Sequence, residues 1–268
     1  MFDASNATPR ITLPVTSVHD VQPADAAPPQ HALLRSTWLH LFPSMLILLF
    51  ALVVGPPVIR AGFPPLLVPS LWALCVLIPV ELGYLLYQAK RNNDGFSLRR
   101  IVRYREPMPV RAYLLLVPAL LAWGVLAFVL ISPRIEPYLV KTFFFWMPAW
   151  VFSLFRIDGT GAYARPVLIF TVVLYLITNP AAAWVEELYF RGYLLPRIAH
   201  LGIWAPFVSV VLFSLQHLFS PWQNPARILA LLPLVYTVAW KKNIYIGIIV
   251  HVTLDVLSAA ALLFMLYR

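Results

Sequence analysis

The sequence predicts an all-α fold, a polytopic transmembrane bundle of seven or eight membrane helices, on three observations. Of the 268 residues, 61% are hydrophobic and only 12% charged, against roughly 25% charged in a soluble domain. The apolar residues fall in continuous runs of helix length, without the alternation over about ten residues expected of barrel strands. A mean hydropathy of +0.79 leaves too little polar surface to cover a globule in water, so lipid must solvate much of the chain.

Residues 1–36 are polar and rich in Pro, Ala and Thr, with no apolar core after a basic start. They read as a disordered tail rather than a cleaved signal, and 37–268 as the membrane domain. Apolar runs follow at about 38–56, 65–87 and 112–132. Between the second and third stand Lys90, Arg91, Arg99, Arg100, Arg103, Arg105 and Arg111, seven of the 20 basic residues. Such a loop marks the inner face, and two spans before it place the N-terminus inside too. The stretch 141–155 is apolar but short, aromatic and interrupted by Pro148. It is expected to lie along the interface, to re-enter, or to add an eighth crossing. Helical patterns then cover about 167–199, 203–220, 227–240 and 243–266. Leaving 141–155 out of the count puts Arg197 and the Lys241–Lys242 pair on the inner face, which favours seven crossings.

The net charge of +9 resides in loops beside spans, where it sets topology and meets anionic headgroups of the bilayer. No soluble basic domain is visible, so no nucleic-acid partner is expected. Cys75 is the only cysteine and lies in a hydrophobic run, which excludes an intrachain disulfide and a multi-cysteine metal site.

Ionisable residues lie within the hydrophobic stretches, among them Glu81, Glu186, Glu187, Arg191, His217, His251 and Asp255. A charge at mid-bilayer costs at least roughly 2.5–3.5 kcal/mol and is tolerated where side chains face one another or water. Glu187 and Arg191, four apart, share a helix face as an opposite-charge pair would. Glu187 precedes the turn at His200–Gly202 by about as many residues as His217 follows it, so both lie roughly 20 Å deep at 1.5 Å per residue. His251 and Asp255, also four apart, lie about 15–20 Å from the Lys241–Lys242 turn. Three helices thus deliver carboxylates, a guanidinium and imidazoles to one layer, a set able to activate water and stabilise an oxyanion. Taken singly, Glu187–Arg191 is equally well a structural ion pair, His217 an interhelical hydrogen bond, and His251–Asp255 an orienting contact or proton relay. Glu81 stands isolated and reads as a structural partner for a polar group. Co-occurrence at matched depth favours a site.

With these residues the chain resembles the CAAX protease and bacteriocin-processing family, whose eukaryotic branch contains the type II CAAX prenyl endopeptidase. Its three motifs read here as EExxxR at Glu186, Glu187 and Arg191, FxxxH at Phe213 and His217, and HxxxD at His251 and Asp255, with the FRG extension at Phe190–Gly192. The resemblance covers about 165–262. It implies a glutamate-dependent intramembrane endopeptidase without metal or cofactor, acting on a membrane-associated or C-terminal peptide. Glu186 would be the general base that polarises water with His217; Glu187 and Arg191 would position and tune it. His251 and Asp255 would form the oxyanion side, with Asp255 donating only if protonated, or else orienting His251. Zinc held by the two histidines and a carboxylate is the competing chemistry, although HExxH is absent. A proton-coupled transporter and a non-catalytic immunity or scaffold protein are the competing classes; flux without proteolysis, or a phenotype indifferent to motif substitutions, would identify them. A compact chain fits a bacterial inner (plasma) membrane with the site open to the cytoplasm. Oligomeric state and substrate identity are not written in the sequence.

Overall fold

The computed structural model describes residues 28–92, 95–156 and 162–266. Most of the expected tail, 1–27, lies outside them. Seven helices make up the described chain: α1 Leu33–Arg60, α2 Leu67–Arg91, α3 Val110–Phe143, α4 Arg165–Leu201, α5 Trp204–Leu215, α6 Asn224–Lys241 and α7 Ile244–Leu266. There is no strand among the described residues. Five of the seven, α1 to α4 and α7, are long and apolar enough to cross a membrane, which makes this an integral membrane protein. The 12 residues of α5 reach only about 18 Å at 1.5 Å per residue, short of a hydrocarbon core of about 30 Å. Helices α5 and α6 form a hairpin joined by the turn over residues 216–223.

The burial pattern is the reverse of a water-soluble one. The inward stripe of α1 is small or polar, with Ser36, His40, Ser44, Ile47, Ala51 and Gly55 buried at helical spacing. Large apolar side chains face out, as with Leu114 and Leu115 of α3, each 72% exposed. Lipid tails satisfy leucine as well as a core does, so small residues that let backbones approach occupy the contacts. At Gly55 a Cβ would stand 2.8 Å from the Trp150 ring, so only glycine admits that indole.

The stretch 141–155 forms no helix of its own, which removes the eighth crossing. Its start completes α3, and a short 3-10 turn covers Ala149–Ser153. Pro148 lacks the N–H that a continuing helix would use, and its ring would clash with the carbonyl four residues back; its backbone is extended, with ψ 139°. The segment folds inward, where Val151, Leu154 and Phe155 join Trp72, Phe219 and Trp222 in an aromatic cluster. That cluster caps the α5–α6 turn.

At the opposite end, the basic segment after α2 crosses the bundle as a strap. Arg103 N–H donates to the Gly192 carbonyl at 2.8 Å and Ile244 N–H to the Tyr104 carbonyl at 2.6 Å. Asn243 Nδ2 donates to the Glu106 carbonyl at 2.7 Å and to the Tyr113 hydroxyl at 2.8 Å. Ile101 and Val102 are buried beneath the strap. A Cβ on Gly192 would lie 2.7 Å from Val102, which accounts physically for the glycine after Arg191.

The described part of the tail is tied to this same end. His31 N–H donates to the Arg197 carbonyl at 2.7 Å, and the His31 ring meets Tyr193 edge-on at 6.1 Å. Helix α1 begins at Leu33, so residues 33–36 are already helical. Burial, reinforced by Arg35 and Arg197, lowers the His31 pKa from 6.5 to about 4. A detached segment takes up its proton near 6.5, whereas the docked one resists until about 4. Docking is therefore at full strength above the higher value and weakens as pH falls towards the lower. A spin label at residue 29 is expected to gain mobility across that window, and His31→Phe to abolish the change.

Candidate active site

The three motif segments meet. Glu186 is the last α-helical residue of α4, and Glu187–Leu194 continue as a π-helix before a 3-10 turn over Leu195–Leu201. A π segment carries more residues per turn and so narrows the angle between successive side chains, a device frequent at functional sites. It lets both glutamates face the neighbouring helices α5, α6 and α7.

Glu187 is fully buried. Its Oε1 pairs with Arg191 Nη1 at 3.3 Å and accepts from His251 Nδ1 at 2.9 Å. Its Oε2 lies against Gly247, where a Cβ would collide with it; glycine there allows α7 to come close enough for His251 to reach. The other ring nitrogen of His251, Nε2, stands 3.9 Å from Glu186 Oε2. The imidazole therefore bridges the two adjacent carboxylates. Arg191 is completely buried, and its guanidinium lies 3.8 Å from the centre of the Phe213 ring. That ring also contacts His217 at 5.1 Å and His251 at 6.0 Å between centroids. Phe213 is thus the wall on which the three cationic or basic groups rest.

His217 occupies a turn rather than the helix predicted for it, because α5 ends at Leu215. Pro221 opens the next 3-10 turn, and a proline disfavours helical geometry in the residue before it. The Nδ1 of His217 lies 2.8 Å from the Phe213 carbonyl. A carbonyl only accepts, so Nδ1 carries the hydrogen, and the neutral ring keeps a lone pair on Nε2. Glu186 reaches this turn through Gln216, whose Nε2 donates to Glu186 Oε1 at 3.3 Å. Gln216 is 1% exposed and was not singled out from the sequence. The turn itself is held by Arg227, which donates to Ser220, Gln223 and Asn224 at 2.7–3.1 Å.

Asp255 lies one turn beyond His251, away from the strap. The His251 ring nitrogens meet Glu187 and Glu186, so the hydrogen bond that fixes the ring comes from Glu187 and not from Asp255. Glu81 is not isolated: it is fully buried on α2, within electrostatic reach of Glu186 and Arg191. Among the described residues no three His, Cys, Asp or Glu side chains converge as a metal site.

No curated protein and no solved structure matches the chain. A family model does match, and it spans every motif residue from Glu186 to Asp255. The matched residues are 166–257, and the model is that of the Rce1-like family, described as type II CAAX prenyl endopeptidase Rce1-like.

Proposed function

We propose that the chain is a glutamate-dependent intramembrane endopeptidase that hydrolyses a peptide bond of a membrane-associated or C-terminal peptide. The observation that carries this reading is the bridge from Glu187 through His251 to Glu186 in a buried layer of the bundle, inside the segment that matches a family of proteases. Glu186, oriented by Gln216 on one oxygen, takes a proton from a water that His217 Nε2 helps to hold. The resulting hydroxide attacks the scissile carbonyl. His251, fixed through Nδ1, presents an Nε2–H to the oxyanion, and preorganised donors of this kind act strongly where water is scarce. Glu186 then returns its proton to the leaving amine, so that water and amide become acid and amine. Arg191 offsets the charge of Glu187, and Asp255 adds negative potential near His251. No step calls on a metal.

The basic strap faces the cytoplasm in this reading, following the excess of Lys and Arg at that end. The test uses purified protein in liposomes with two quenched fluorescent peptides ending in Cys-aliphatic-aliphatic-X, one prenylated on the cysteine and one not. Cleavage of either, mapped by mass spectrometry and resistant to a strong chelator, is the expected result. Chelator-sensitive cleavage would replace Glu186 with a metal as activator of water. Proton flux without cleavage of these peptides or of co-reconstituted membrane proteins would end the proteolytic reading.

A further inference from the structure

Glu81 lies outside the matched segment, and the proposed mechanism leaves it without a task. It is fully buried, and neither carboxyl oxygen has a hydrogen-bond partner among the described residues. The Arg191 guanidinium is equally short of partners: none of its three nitrogens makes a hydrogen bond, and its one contact with a carboxylate is the 3.3 Å pair with Glu187. Buried donors and acceptors of this strength are rarely left orphaned in a folded protein.

Helix packing places Glu81 beside the segment of α4 that carries Glu186 and Arg191. Tyr84, one turn after Glu81, meets Tyr189 at 5.9 Å and Tyr193 at 5.6 Å, both edge-on. Helices α2 and α4 run in the same direction, towards the strap. Glu81 therefore sits about 4.5 Å further from the strap than Tyr84, abreast of the residues just before Tyr189, which include Glu186. The Tyr189 hydroxyl cannot satisfy it, since it already donates to the Leu39 carbonyl at 2.8 Å. Glu186 and Arg191 are the charged groups within its electrostatic reach. Of these only Arg191 offers donors.

We propose that Glu81 is the third carboxylate of the site, a positioning residue that holds the Arg191 guanidinium through one ordered water. The role rests on the proteolytic reading only in its effect on turnover; the pairing itself is independent of it. With a second carboxylate on Arg191, its plane stays against Phe213, and Glu187 Oε1 stays placed to accept from His251 as well as to pair with Arg191.

A melting experiment and a kinetic one separate the two questions. Arg191→Leu strips the positive charge from both carboxylates and is expected to lower the melting temperature in detergent by several degrees. If Glu81 acts through Arg191, adding Glu81→Gln recovers part of that loss, because one of the stranded carboxylates is gone. A structural role for Glu81 elsewhere predicts losses that add, and additive losses overturn the proposal. Arg191→Gln carries the same comparison if the leucine variant does not accumulate. On the peptides above, Glu81→Gln alone is expected to lower kcat about tenfold with KM unchanged, and an unchanged kcat overturns the positioning role. If the wild type cleaves nothing, the proteolytic reading fails while the melting comparison still decides the pairing.

Discussion

Glu186→Gln is expected to lower peptide cleavage by about a thousandfold, within the range ascribed to general acid–base groups, and to leave the melting temperature nearly unchanged. Glutamine keeps the shape of the side chain and an oxygen for Gln216, whose 3.3 Å hydrogen bond therefore survives. What is lost is the lone-pair basicity that removes a proton from water, and no neighbour replaces it. Glu187 has one oxygen engaged by Arg191 and His251, and the other is packed on Gly247. A loss of this size, about 4 kcal/mol of transition-state stabilisation, should fall on kcat with KM little altered, since the substrate meets the same surface. Initial rates over a range of peptide concentrations, with a thermal melt of the same preparation, check it. Retained turnover would show that another group activates water.

Arg191→Leu is expected to have the largest effect on stability. Arg191 is the largest of the fully buried side chains, with an ion pair to Glu187 on one side and an aromatic face at 3.8 Å on another. Breaking a buried pair by removing one partner costs about 3–5 kcal/mol, because the remaining charge is left uncompensated. For a chain of this size that corresponds to a fall of roughly 10 °C in melting temperature. Arg191→Lys keeps the charge but not the planar contact with Phe213 and should lose less, about 1–2 kcal/mol. Fluorescence-detected size exclusion after heating ranks the three proteins. An Arg191→Leu protein as stable as wild type would show that the guanidinium is dispensable to the core.

Much of this site was legible because lipid makes charge conspicuous. Glu186, Glu187, Arg191 and His251 declared themselves as ionisable groups inside apolar runs, and the four-residue spacing of Glu187 and Arg191 foretold their ion pair. The same spacing misdirected the reading of His251, since it puts Asp255 on the same face but says nothing of what lies across the helix boundary. Gln216 was invisible for the opposite reason: a neutral amide carries no insertion penalty to draw notice. Glu81 looked solitary because its company sits more than a hundred residues further along the chain. The π segment that begins at Glu187 has no compositional signature, and the turn that carries His217 was masked by the apolar run around it. Residues 95–111 stand out in the sequence for their charge, while their structural task rests on backbone hydrogen bonds that composition does not encode.

That task has a mechanical corollary. Arg103 and Tyr104 fasten Gly192 of α4 to Ile244 of α7, five residues past Glu187 and seven before His251. Two rods lashed beside their working jaws hold those jaws at a fixed separation, and the rods are joined towards their far ends as well, where Val172 and Tyr175 of α4 pack with Ala259 and Leu262 of α7. The Glu187–His251 contact lies within two turns of that fastening on each helix, so the strap sets the spacing of the two groups.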